Sequence, residues 1–110
     1  MSKDNLTLDL VSKSEWFDKI KSGEKTVEYR ETKPYWRKRI YPLIDGEFSF
    51  PIVFPGNGLK QGAKVHFSRG YARHEQMLFM IDKISVVPGD ITDLHTNKPV
   101  FAIHLGERIY

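Results

Sequence analysis

Within the run SGEKTVEYRETKPYWRKR (22–39), Lys25, Glu28 and Arg30 lie close together. A carboxylate set between two cations can orient them. It can also accept a hydrogen bond from a ligand while a neighbouring cation donates one. The same run then places Tyr35 and Trp36 among Lys33, Arg37, Lys38 and Arg39. Tyr71, between Arg69 and Arg73, repeats the pattern further along. Aromatic rings stack on bases while guanidinium groups meet phosphates, so two such groups flanking one cleft point to an anionic, base-bearing ligand. The plainer alternative is a solvated surface. Its salt bridges would be worth at most about 1 kcal/mol, and Trp36 would pack on the core while its cations stay in water.

The charge distribution agrees with an anionic partner. The chain has 110 residues and a net charge of +3. Residues 13–39 carry nine Lys or Arg against five Asp or Glu, and the other residues carry eight against nine. The net positive charge thus sits in and around the opening stretch. Such a field favours anions, nucleic acid first.

Other chemistries have little support. His66, His74, His95 and His104 show no H-x-H or H-x-x-x-H spacing, so no metal site is expected. There is no cysteine, hence no disulfide framework and no thiolate ligand, and the cytoplasm is the natural setting. No nucleophile elbow, Walker or dinucleotide-binding pattern occurs, and no cofactor is expected. FPGNGLKQG reads as a turn before a strand. No apolar run approaches the length of a membrane helix, and the N-terminus lacks the apolar core of a signal peptide.

The elements that must position these residues can be read from periodicity. The length suits one domain spanning residues 1–110. Leu6, Leu8 and Leu10 alternate with polar residues, as in a half-buried strand. Ser14–Ser22 reads as a helix capped by Ser12 or Ser14. Trp16, Phe17 and Ile20 form its buried face, and Gly23 is its left-handed C′ residue. Were Trp16 fully buried, replacing it with Ala would cost roughly 3–5 kcal/mol. Thr26 to Glu31 reads as a strand with Val27 and Tyr29 on one face and Thr26, Glu28 and Arg30 on the other. Lys25 lies on the preceding turn. Tyr35 to Arg39 is compatible with a helix or an extended loop.

DGEFSFPIVFPGNG carries turn chemistry around short extended pieces. Lys64–Arg69 reads as a strand with Val65 and Phe67 inward. Gln76–Val87 is a longer strand, with an irregularity near Asp82 or Lys83 where the phase of Met77, Phe79 and Ile81 gives way to that of Ile84 and Val86. Val100–Leu105 is the last strand. His66 and His104 are expected on solvent-facing positions. The expected fold is α+β, mostly β: a small curled, mostly antiparallel barrel of five to six strands with one or two short helices. The first helix closes one end.

The run WFDKIKSGEKTVEYR (16–30) resembles the ASCH family, the activating-signal-cointegrator homology domains of PUA-like fold. Its signature is G-x-K-x-x-E-x-R after an amphipathic helix, and Gly23, Lys25, Glu28 and Arg30 match all four positions. GAKVHFSRGY, MLFMIDKI and VFAIHLG look like the family's following strands, whereas residues 40–62 do not align. The resemblance implies a PUA-like barrel, a cleft lined by the Gly23–Arg30 motif, and a role in RNA binding or RNA metabolism. One bacterial branch of the family removes the acetyl group from acetylated cytidine with the matching lysine, a threonine three residues later and a distant glutamate. Here Lys25 matches the lysine, but Glu28 stands at the threonine position. Asp90 and Asp93 are the nearby carboxylates.

The leading expectation is an ASCH domain that binds RNA or a nucleotide-like ligand. Lys25, Glu28 and Arg30 would form the floor, with Trp36, Arg37 and Arg39, and also Arg69, Tyr71 and Arg73, contributing ligand contacts. A second possibility is a hydrolase of RNA or modified nucleosides with Lys25 and Glu28 as acid–base groups. A weaker third is a protein-interaction module using FSFPIVFP as an apolar patch.

Overall fold

The computed structural model describes residues 6–44, 59–70 and 75–110. Residues 45–58, with the FSFPIVFP segment, and residues 71–74, with Tyr71, Arg73 and His74, lie outside the described residues. The order of elements is β1 (Thr7–Ser12), α1 (Ser14–Lys21), β2 (Val27–Glu31), α2 (Pro34–Ile40), β3 (Lys64–Arg69), β4 (Gln76–Pro88) and β5 (Pro99–Arg108). Single 3₁₀ turns follow α2 at Tyr41–Leu43 and β4 at Gly89–Ile91. The chain is a small mixed α+β domain, mostly strand.

The five strands form one sheet in the order β1-β3-β4-β5-β2. The β1–β3 pair is parallel and the other three pairs are antiparallel. The sheet curls into a half-barrel, so the expectation of a barrel is met only in this coarser form. β1 and β2 stand at opposite ends of the strand order.

The apolar alternation read from the sequence becomes the core. Leu8 and Leu10 of β1, Val65 and Phe67 of β3, and Met77, Phe79 and Ile81 of β4 all turn inward. The phase break in β4 is real: its register with β5 shifts between Phe79 and Ile81 and again between Ile81 and Lys83. That shift lets Ile84 and Val86 rejoin the core beyond the exposed Asp82 and Lys83.

Helix α1 buries Phe17 and Ile20, but Trp16 is only half-buried. Trp16 sits at the margin of the apolar stripe, among lysines, so the expectation of a core tryptophan is corrected. No serine caps the helix; Lys13 holds the N-cap position without a side-chain bond. At the other end Gly23 has φ +84, the left-handed geometry that stops a helix with glycine. The Tyr35–Arg39 stretch is helical, started by Pro34 in the first turn, where its missing N–H is harmless.

Candidate functional site

Strand β2 carries an inversion of the usual pattern. Glu28 lies opposite Ile103, and Arg30 opposite Phe101, in the pairing with β5. Directly opposed residues share a sheet face, so the charged side of β2 turns toward the apolar interior. Glu28 is only 5% exposed. A buried charge is costly unless it is paired and hydrogen-bonded, and Glu28 is both. Its Oε1 lies 3.4 Å from Lys25 Nζ, and its Oε2 lies 3.2 Å from Arg30 Nη1. Ser12 Oγ of β1 donates to Oε2 at 3.4 Å, and the Tyr29 N–H donates to Oε1 at 3.1 Å. Arg30 Nη1 in turn donates to the Tyr29 carbonyl at 2.8 Å. The main-chain groups of Tyr29 are thus met by the side chains of its two neighbours, which blunts this edge of the sheet. The Ser12 contact joins β1 to β2 across the open side of the half-barrel.

Lys25 follows the Gly23 turn, and its backbone N–H is held by the Lys19 carbonyl. Its ammonium lies 2.5 Å from Asp93 Oδ2, beyond the Gly89–Ile91 turn. It also lies over the Tyr29 ring at 4.9 Å and the Trp16 ring at 5.4 Å, both within cation–π range. Two cations and two carboxylates therefore close a neutral chain: Asp93, Lys25, Glu28, Arg30. The chain continues through Arg30, whose guanidinium carbon lies 5.3 Å from the Trp36 ring centre.

A cavity lies beside each end of this chain. The smaller, about 330 Å³, is a shallow depression lined by Trp16, Lys19, Glu24, Lys25, Thr26, Val27, Tyr29 and Asp93. The larger, about 1320 Å³, runs between β1 and α2. Its described lining includes Lys33, Lys38, Arg39 and Lys60, the aromatics Tyr35 and Trp36, His66, and a single carboxylate, Asp9. Arg39 lies 3.6 Å from the Tyr35 ring centre, and Tyr35 is 52% exposed.

The residues expected in the site are distributed as follows. Lys25, Glu28 and Arg30 converge in one network, and Trp36 adjoins it. Arg39 lines the larger cavity. Arg37 turns elsewhere and donates through Nε to the Thr32 carbonyl at 2.5 Å. Arg69 pairs with Asp18 of α1 at 3.0 Å and lines neither cavity. Tyr71 and Arg73 lie outside the described residues.

Trp16, Ser12, Lys60 and His66 join the site only in the structure, and of the two carboxylates noted near the motif it is Asp93 that meets Lys25. For Trp16 the available signal was its place at the edge of the helix stripe. Asp93 reaches Lys25 only through the path of a loop, which has no periodicity to read.

The two strand histidines, expected on solvent-facing positions, are both partly exposed. His66 is partly enclosed, with Nδ1 3.3 Å from Asp9 and Nε2 2.8 Å from Gln76 Oε1. His104 lies opposite Val27 and within 3.2 Å of Ser85 Oγ. Burial pushes its imidazole below the ordinary value of 6.5; the Lys83 ammonium adds to this and Asp82 opposes it. Among the described residues no group of three or more side chains is placed to hold a metal, and no helix is long and apolar enough to cross a membrane. Comparison with known protein families, curated proteins and solved structures finds no match for this chain.

Proposed function

We propose that this chain is a small ASCH-type domain of PUA-like fold that binds single-stranded RNA or a nucleotide-like ligand. The observation that carries the reading is the lining of the larger cavity. Among the described residues, four cations and two aromatic rings line it, against one carboxylate. Phosphates suit Lys33, Lys38, Arg39 and Lys60, and a base suits the exposed Tyr35 ring. The four matching residues of the G-x-K-x-x-E-x-R signature support the family reading. Three of them, Lys25, Glu28 and Arg30, converge and link the smaller cavity to the larger one through Arg30 and Trp36. A cytoplasmic setting suits such a ligand.

Glu28 acts as a structural anchor in this reading. Two hydrogen-bond donors and two paired cations already surround its two oxygens, which leaves it poorly placed to take a proton from a substrate. Binding of short single-stranded RNA, measured against salt, tests the proposal. A log–log slope near −0.7 per phosphate contact is expected for a single strand. The double substitution Lys38→Ala, Arg39→Ala should flatten it by about one to two units. Wild-type protein that shows no salt-sensitive binding to short RNA or nucleotides would sink the proposal.

A further inference from the structure

The smaller cavity presents a donor and an acceptor side by side. We propose that it takes the hydrogen-bonding edge of a guanine base, with Asp93 accepting from the base and Lys25 donating to it. This rests on the reading that the protein binds a nucleotide-like ligand, and it adds which base is held and where.

Counting the hydrogen-bonding capacity of the two side chains supports the assignment. An ammonium has three N–H donors. Lys25 donates one to Asp93 and pairs electrostatically with Glu28, so donor capacity remains for a ligand carbonyl. A carboxylate has about four acceptor sites. Asp93 uses Oδ2 toward Lys25, and Oδ1 has no hydrogen-bond partner among the described residues. The ion pair therefore survives ligand binding, and both members still have capacity to spare.

Guanine presents two N–H donors, N1–H and the 2-amino group, next to the O6 carbonyl. The donors match the carboxylate and O6 matches the ammonium. Adenine and cytosine each offer one amino group beside ring acceptors. Uracil offers one N–H between two carbonyls. Only guanine fills both oxygens of Asp93 while also meeting Lys25.

Three further features fit a single planar ring. The volume of about 330 Å³ lies at the lower end for ligand pockets, suited to one base. Trp16 is half-buried and lines the cavity, which gives the ring a surface to stack on. Asp93 is also held in place before any ligand arrives. Thr92 Oγ1 donates to the Gly89 carbonyl at 2.8 Å and accepts from the Leu94 N–H at 3.2 Å, and the Gly89 N–H donates to the Lys98 carbonyl at 3.1 Å. A preordered acceptor costs less to engage.

The test uses the whole chain and the 5′-monophosphates of guanosine, inosine, adenosine, cytidine and uridine, titrated by calorimetry and by tryptophan fluorescence. The guanine nucleotide should bind about tenfold or more tightly than the others. Inosine, which lacks only the 2-amino group, should lose about tenfold, the scale of one hydrogen bond to a charged group. Asp93→Asn should abolish the preference for guanine over inosine while leaving adenine binding unchanged. Trp16→Ala should weaken all five, and Trp16→Phe should restore most of the loss. Equal affinities across the five nucleotides in wild-type protein, or a preference that persists in Asp93→Asn, overturns the assignment. Salt-dependent RNA binding without base preference would overturn this inference and leave the larger cavity's role standing. A guanine preference without RNA binding would do the reverse.

Discussion

Glu28 shows how much of this protein's behaviour depends on single side chains. Removing one partner from a buried ionic network leaves charges uncompensated, at roughly 3–5 kcal/mol. Glu28→Ala should therefore lower the stability measured by urea unfolding by about that much, because Lys25 and Arg30 lose an ion-pair partner and Ser12 and the Tyr29 N–H lose their acceptor. A midpoint unchanged from wild type would mean that the network does not hold the open side of the half-barrel. The two aromatics of α1 should behave differently from each other. Phe17, fully buried, should cost about 3–5 kcal/mol on replacement with Ala, whereas half-buried Trp16 should cost about 1 kcal/mol and instead weaken ligand binding. His104 gives a pH dependence whose sign follows from its depressed value. The unfolded chain binds the proton more readily, so stability rises with pH through the region just below 6.5. It falls on acidification until the folded imidazole is protonated too. His104→Gln should flatten thermal stability against pH in that window. Part of this was legible beforehand. The shared face of Glu28 and Arg30 follows from strand alternation, but that this face turns inward depends on the pairing with β5, which lies far away in sequence.

The elements divide into those that local chemistry specifies and those that only packing specifies. Helix α1, the Gly23 stop, β3 and the irregularity of β4 were legible because apolar period and turn residues agree there. The cap of α1 was not, since serines beside a helix start have no obligation to bond. The loop from Gly89 to Lys98 had no readable pattern, yet it delivers Asp93. Its two ends meet at Gly89, where an added Cβ would lie 2.3 Å from the Lys98 carbonyl oxygen and 2.4 Å from the Thr96 methyl. Gly89→Ala should therefore displace the loop and weaken nucleotide binding more than it lowers the melting temperature. Gly23→Ala offers a contrast. Nothing lies within 4 Å of its would-be Cβ, so the cost is the left-handed backbone alone, about 1 kcal/mol. Calorimetric melting of the two variants beside their ligand titrations separates the effects. Equal losses of affinity in both would argue against a special role for the loop.

At the scale of the whole molecule, the strand count and the mixed α+β class could be read from the sequence. The open half-barrel, the parallel β1–β3 pair and the strand order could not, because alternation says which face is buried and nothing about which strand lies alongside. That order has a consequence in time. β3, β4 and β5 follow one another in the chain and pair as neighbours, so they can assemble through nearby contacts. β1 and β2 precede these strands in the sequence and pair with partners far along it, β1 with β3 and β2 with β5. Lys25 and Asp93, which meet in the site, are 68 positions apart. Pairings of this separation slow folding, because the entropy of closing the intervening chain is lost before any contact forms. The motif at residues 23–30 therefore has its strand partner some seventy positions further along the chain, and β2 can pair only once β5 is available.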